Sequence, residues 1–553
     1  MNDVPVPVLI VGAGAAGLTA SALLTKHGVR SLVVERRREV FIYPKARNLS
    51  FRSLEILRGL GLAEQVHAVA DGMSGMLTKT SLSSAETRQA FDVDAIFAPF
   101  DGLSPEPSAQ YCPQSALEPM LLEYSRGHRN RIRYGTELSS FEQDETGVTA
   151  VIRDRDSGAR DTVRAEYLIA ADGVHSPIRD TLGVPTSGHG ALPIYVVFIY
   201  FRGPWRQFVP QLGDGDAIHV ENDCVKGIFL PVRDDFGMLA TTYLPGQGES
   251  AEQFTADRCR EMLRAAIGEP IDVEIVAATP WQPYERVADR LRCGRVFLVG
   301  DSAHAMPPFK AGGANCAIQS AHNLAWKLAA VLNGMAAPEL LDTYQAERHP
   351  IGRFSARQSL TGPSVHLLWR DDTDPRLPAD EEAPMFDLLI GHRYRSAAVL
   401  SGDPVPTDPD AVSLVKELRG QPGTRVPHVW LQHGGQRVST LDLLGPGFTV
   451  LTGRDGGPWR VAVSHASEAL GVPLDSHRIT DEQWAGATGL APDGALLIRP
   501  DDFVGWRAET LPADPGVELQ RALTAILGGG RAPTGSGGPG CGTRRIRGRS
   551  APA

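Results

Sequence analysis

The tightest constraint on this chain is the run Val8-Leu9-Ile10-Val11-Gly12-Ala13-Gly14-Ala15-Ala16-Gly17. An apolar stretch leads directly into G-x-G-x-x-G, Leu18 to Leu24 continue at helical spacing, and a second apolar run, Ser31-Leu32-Val33-Val34, closes on Glu35 and Arg36. The order is strand, turn, helix, strand. Gly12 permits the tight turn, Gly14 lets backbone approach a pyrophosphate, and Gly17 lets the helix pack close to the strand. The helix that opens at Ala15 and Ala16 offers unpaired N–H groups and partial positive charge to phosphate. Glu35 can accept hydrogen bonds from both ribose hydroxyls, and its charge would repel a 2′-phosphate. The pattern predicts an ADP-ribose site; the plainer alternative is a glycine-rich turn in an ordinary α/β domain.

A chain of 553 residues exceeds one hydrophobic core, and two or three domains are expected. The formal charge of -10 argues against nucleic acid as a partner. No run of about 18 apolar residues occurs and no removable apolar leader precedes Val8, so no membrane partner and a cytoplasmic location are expected. Cys112, Cys224, Cys259, Cys293, Cys316 and Cys541 are scattered without a C-x-x-C pair, which argues against a zinc site and against dithiol redox chemistry. No metal site is expected.

Further polar groups punctuate apolar runs. Arg47 precedes a helical segment, Ser53 to Leu62, and could reach phosphate or remain solvated. Gln114 falls in the first turn of a helix entered through Pro113. Tyr167-Leu168-Ile169-Ala170-Ala171 ends in Asp172-Gly173-Val174-His175-Ser176-Pro177-Ile178-Arg179, and Arg295 to Gly300 ends in Asp301-Ser302-Ala303-His304. Two strands closing on an acid beside a glycine place polar groups at the carboxyl edge of a sheet, where open α/β folds bind ligands. Asp301 could accept hydrogen bonds from a polyhydroxyl chain. The segment Pro307-Pro308-Phe309-Lys310-Ala311-Gly312-Gly313-Ala314-Asn315 then presents the start of a long amphipathic helix, Ala317 to Leu332.

G-x-G-x-x-G with Glu35, the Asp-Gly segment at Asp172 and the Gly-Asp segment at Asp301 together resemble the single-component (class A) FAD-dependent aromatic hydroxylases of the para-hydroxybenzoate hydroxylase type, over residues 5 to 350. The resemblance implies FAD as bound cofactor, NADPH as transient reductant, and O2 and an aromatic small molecule as substrates. Arg47 and Gln114 would then touch the flavin nucleotide. Asp172 and Gly173 would lie near the pyrophosphate and the NADPH path, and Asp301 would hold the ribityl chain. Pro308, Gly312, Gly313, Ala314 and Asn315 would line the isoalloxazine. Lys310, Ala311, Ala314, Ala317 and Ser320 depart from the usual loop, and Lys310 is expected to alter ring mobility or charge.

Runs with strand character at Tyr195 to Phe201, Ala217 to Glu221, Gly227 to Val232, Met238 to Leu244 and Val273 to Ala278 argue a largely antiparallel inserted sheet. Its aromatic residues Tyr195, Phe198, Tyr200, Phe229, Tyr243 and Trp281, with Pro307, suit an extended planar substrate, although strands are also rich in aromatics for packing. Farther on, strands at Phe448 to Thr452, Arg460 to Val463 and Ala495 to Arg499 suggest a small α/β unit. It resembles the thioredoxin-like C-terminal domain of phenol hydroxylase and of aromatic polyketide hydroxylases. Pro500-Asp501-Asp502 corresponds to a closing segment that commonly reads Pro-Asp-Gly. Without C-x-x-C that unit is left packing or dimer contact, and a homodimer is the oligomer to test.

The expected fold class is α/β: a Rossmann-like FAD-binding domain (1–75, 104–183 and 291–400), an inserted, mostly antiparallel β substrate domain (76–103 and 184–290), a thioredoxin-like C-terminal domain (411–527) and a disordered tail (528–553). By resemblance, the function is hydroxylation of an aromatic, polycyclic polyketide substrate through a flavin C4a-hydroperoxide. A simple phenol hydroxylase or a non-oxygenating flavin-binding partner protein is the alternative. No residue is assigned as the phenol-activating base.

Overall fold

The computed structural model describes residues 6–40, 46–69, 75–107, 109–128, 130–362, 380–403, 408 and 410–528. The tail expected at 528–553 lies outside them except for Gly528, as does the part of a helix expected at 351–368 that falls beyond residue 362.

The apolar runs of the amino-terminal half assemble as sequence spacing suggests. Val6–Val11 lies between Ser31–Val34 and Arg160–Ala170, parallel to both; Val296–Leu298 adds beyond Arg160–Ala170, and Arg131–Arg133 beyond Ser31–Val34, again in parallel. Leu9, Ile10, Leu168 and Ile169 are wholly buried, as strands covered on both faces require. Thr136–Gln143 and Val148–Asp154 form an antiparallel meander that feeds into Arg160–Ala170. The helices Ala15–Lys26 and Gly312–Leu332 pack against each other over this sheet.

The inserted unit is a 7-stranded sheet in which every neighbouring pair is antiparallel except Gly75–Lys79 with Ala217–Glu221. Gly75–Lys79 and Arg88–Asp92 supply its edge. One face is sealed by the helix Ala256–Ile267, whose Cys259, Leu263, Ala266 and Ile267 pack with Val197, Ile199, Phe201 and Phe229. The other face carries Val196, Phe198, Ala240 and Trp281 and meets Leu360.

The C-terminal unit is a 4-stranded sheet in which Phe448–Thr452 runs parallel to Leu474–Arg478 and antiparallel to Ala495–Ile498. The strand expected at Arg460 to Val463 is instead helix, within Gly457–Leu470. Trp459, Ala462, Val463 and Ala466 are its buried residues, a spacing that only a helix turns to one side, and Pro458 opens its first turn.

Candidate active site

Parallel pairing brings the functional segments together. Val11 is level with both Ala170 and Val34, and Ala170 is level with Leu298. Gly12, Asp172, Glu35 and Asp301 therefore leave the sheet along one carboxyl edge. Gly12, at φ 108°, donates its N–H to Val34 O (2.8 Å), and a Cβ there would lie 2.2 Å from Ala171 O. A Cβ on Gly17 would lie 1.9 Å from Gly12 O. Gly14 differs: its nearest neighbour would be Glu118 Oε1 at 3.7 Å, an ordinary contact. Gly12 and Gly17 thus serve the protein's own packing, whereas Gly14 leaves room in front of a helix whose start has no side-chain cap.

The acids divide by role. Glu35 is buried, accepting from Ala13 N at 2.8 Å and Arg37 N at 2.9 Å, so its carboxylate is held rigidly at the strand end with lone pairs to spare. Arg36 is exposed beside it. Asp301 is exposed in the turn Gly300–Ser302, where a Cβ on Gly300 would lie 2.7 Å from the Ala16 Cβ and 3.6 Å from the Ala317 Cβ; the turn is wedged between the starts of both long helices. Asp172 is turned inward instead. It accepts from Ser176 Oγ (2.7 Å) and Ile178 N (3.1 Å), and burial raises its pKa. Its carboxylate shapes the 172–179 turn, leaving Gly173 backbone as the group presented at the edge. Arg179, buried, ties that turn to the neighbouring strand end through Ser302 O at 3.2 Å.

Arg47 reaches toward the inserted sheet, donating to Asp214 O (2.6 Å) and Pro231 O (3.1 Å) over the Tyr111 ring, and its buried Nε has no partner among the described residues. Gln114 donates to Glu118 Oε1 at 2.5 Å, which sets both residues beside Gly14. Glu118, fully sequestered on the helix Gln114–Gly127, has no sequence signal that marks it.

The helix Gly312–Leu332 begins at Ala311 with φ 52° and no side-chain cap, so its first N–H groups face outward beside Gly312, Gly313 and Ala314, which are half-buried. Pro307 is buried and Pro308 exposed ahead of it. Asn315 does not face outward. Its Oδ1 accepts from Ser50 N (2.9 Å), Ser50 Oγ (3.2 Å) and Ser53 Oγ (2.7 Å), while Nδ2 donates to Ala311 O (2.8 Å) and Asn48 O (3.2 Å). The side-chain amide is saturated, and through it Asn315 braces the turn. Lys310 pairs with Glu382 at 2.6 Å, which anchors the charge that sets this loop apart. His304 is buried, 3.6 Å from Cys316 Sγ. Burial opposes the thiolate, but His304 and Arg348 hold the Cys316 pKa down at about 7.

The aromatic residues of the inserted sheet fall on two faces because side chains alternate along a strand. Phe198, Tyr200 and Trp281 share the face directed at Leu360 and Met238, with Phe198 and Trp281 rings 5.6 Å apart. Phe229 packs beneath the helix on the opposite face, 4.9 Å from Trp205, and Tyr243 lies 6.0 Å from Phe254 on that side. Tyr195 pairs with Tyr243 and shares its side, their rings 5.5 Å apart. Phe229 and Tyr243 therefore pack in the helix-covered core, and Tyr195, half-buried, lies on the same face.

A parallel sheet with an open glycine turn, a fixed acid at the second strand end and two uncapped helix starts defines a dinucleotide-binding α/β protein. Residues 5–359 match the FAD binding domain family, and residues 419–530 match the aromatic-ring hydroxylase C-terminal domain. The tetracenomycin A2 monooxygenase-dioxygenase of Streptomyces glaucescens is 39% identical, across 95% of this chain and 98% of that protein. The 4-methyl-5-nitrocatechol 5-monooxygenase of a Burkholderia species is 38% identical, across 95% and 98%. Among solved structures, aklavinone-11 hydroxylase in a ternary complex with FAD and aklavinone superposes with a TM-score of 0.84 at 35% identity, covering 96% of this chain and 100% of that one. The chain belongs to the FAD-dependent aromatic-ring hydroxylases, and it is a flavoprotein monooxygenase. The residues present fit FAD on the protein's own evidence: the room at Gly14, the unpartnered Arg47 Nε and the uncapped helix starts.

Proposed function

We propose that this protein inserts one oxygen atom into a polycyclic aromatic polyketide. The supporting observation is full-length likeness to a tetracenomycin-acting enzyme and to a hydroxylase complexed with aklavinone. When bound, FAD would supply the redox chemistry, with NADPH as reductant and O2 as oxidant. The chain's own residues do the rest. Gly14 and the Ala15–Lys26 helix start receive the pyrophosphate, Glu35 accepts from the adenosine ribose, and Arg47 supplies its Nε to the nucleotide. Asp301 receives the ribityl hydroxyls. Gly312, Gly313 and Ala314 would offer the N–H groups of the uncapped helix start to the flavin ring and favour negative charge there. Phe198, Tyr200 and Trp281 offer the substrate a flat apolar face and exclude water.

A one-ring phenol or catechol is the second reading, favoured by the likeness to the nitrocatechol monooxygenase. A cytoplasmic homodimer is proposed alongside; among the described residues no helix is long and apolar enough to cross a membrane. The deciding experiment supplies purified holoprotein with NADPH, labelled oxygen and either aromatic polyketides or one-ring phenols. One labelled atom in the polyketide product supports the proposal. Turnover of phenols alone supports the second reading, and NADPH oxidation that no aromatic stimulates refutes both.

A further inference from the structure

The C-terminal unit contributes a charged segment, Arg499 to Phe503, buried but for the partly exposed Asp502, to the flank of the flavin-binding part. Arg499 forms a two-pronged pair with Glu347 (2.6 and 2.9 Å) and holds Asp501 (2.5 and 2.9 Å), while Lys327 reaches Glu347 at 2.7 Å. Beside it, Arg52 donates to Glu55 and Asp502, each at 2.9 Å, and Arg425 lies 3.2 Å from Glu55. Each nest joins two cations to two carboxylates, the condition under which buried charge is tolerated.

Two contact routes run from this segment toward the same helix. Along the first, Asp502 holds Arg52, at the second position of the helix Phe51–Gly59. The flanking Ser50 and Ser53 are gripped by Asn315 Oδ1, whose Nδ2 in turn donates to Ala311 O. Along the second, Phe503 stacks on Tyr394 at 4.1 Å, the Tyr394 hydroxyl accepts from Arg348 (3.1 Å), and Arg348 donates to Cys316 O (3.3 Å). The first route ends on Ala311, the residue that caps the start of the Gly312 helix, and the second on Cys316 at the beginning of its second turn. Among the described residues, four that are not glycine have positive φ, and two of them, Asp502 at 67° and Ala311 at 52°, stand at opposite ends of the first route. Such backbone persists where its surroundings over-determine it.

We infer that Asp502 is a positioning residue for the hydroxylation: its carboxylate, through Arg52 and Asn315, sets the Ala311–Ala314 turn against the flavin. This rests on the ring placement proposed above and gives the C-terminal unit a function in the reaction without thiol chemistry. Loss of the carboxylate leaves two buried guanidinium groups, Arg52 and Arg425, sharing Glu55, so the Ser50–Ser53 brace shifts and the turn with it.

The test compares full-length holoenzymes carrying Asp502→Asn, which keeps shape and tolerates left-handed backbone, and Asp502→Gly, which relieves the backbone but also lacks the carboxylate. Both are expected to raise the FAD dissociation constant at least tenfold, alter the visible circular dichroism of bound flavin and lower product formed per NADPH consumed, at temperatures well below melting. Lowered melting with unchanged flavin dichroism, affinity and coupling would reduce Asp502 to a structural residue and overturn the inference, as would wild-type flavin properties in the glycine variant. If neither variant folds, Ser53→Ala decides: it removes one hydroxyl of the first route, the one that donates to Asn315 Oδ1 at 2.7 Å, and a flavin signal and coupling ratio identical to wild type overturn the inference, whereas a shift in either at unchanged melting upholds it. Gly313→Ala separates the two readings. Unchanged FAD binding there means the ring placement is wrong, while weakened binding there with silent Asp502 variants removes only the role of Asp502.

Discussion

Replacing Gly14 by alanine separates what the glycine turn does for the protein from what it does for the cofactor. Gly14 has φ -84° and ψ -174°, backbone that alanine adopts freely, and the new methyl would meet only Glu118 Oε1 at 3.7 Å. Restricting the unfolded chain stabilises by about 0.4–1 kcal/mol. Alanine is a poorer N-cap than glycine by about 0.5–1 kcal/mol. The two offset, so melting in the absence of FAD should stay within a degree or two of wild type. The same methyl occupies the space through which backbone N–H groups approach the pyrophosphate, and FAD should bind at least tenfold more weakly, about 1.4 kcal/mol. Gly17→Ala provides the contrast: its methyl would sit 1.9 Å from Gly12 O, and the variant should lose stability whether or not FAD is present. Flavin fluorescence titration gives the affinity and far-ultraviolet circular dichroism the melting. Wild-type FAD affinity in Gly14→Ala, with the fold intact, would refute the assignment of that gap to the pyrophosphate.

Other outcomes follow from the same geometry. Asp301→Ala, at an exposed turn, should leave melting within about 0.5 kcal/mol of wild type yet release yellow colour on dialysis; retained flavin removes the ribityl role. Phe229→Ala should cost about 3–5 kcal/mol of stability, read by denaturant titration, whereas Phe198→Ala should chiefly raise KM for the aromatic substrate; equal effects of the two on KM would refute the assignment of faces. Burial pushes the pKa of His27 and His392 down to about 3 and of His322 and His428 to about 4. The folded values lie below the unfolded one, so this stability is complete above pH 6.5 and is lost as pH falls toward 4, at about 1.4 kcal/mol per unit for each histidine. His322→Asn should flatten the melting profile between pH 6.5 and 4, and an unchanged slope would show that His322 is not neutral in the fold.

The amino-acid sequence alone determined the sheet, its glycine turn and the row of acids, because each depends on short-range pattern. An apolar run ending in Gly12, Ala171 or Gly300 is a buried strand wherever it pairs, and parallel pairing sends all such ends to one edge. Tertiary structure decided which way the side chains face. Asp172 and Asn315 carry the residue types of ligand contacts, yet both spend their polar atoms on neighbouring backbone and hydroxyls, because partners such as Ser50 arrive from 265 residues away. Phe198 and Phe229 read alike as strand aromatics until strand register assigns them to opposite faces. Arg460 to Val463 reads as a strand over four residues, but the burial of Trp459 and Ala466 imposes the helical period. The pairing of Asp502 with Arg52 joins residues 450 positions apart, and no local pattern encodes a contact that exists only once the C-terminal unit packs against the flavin-binding part.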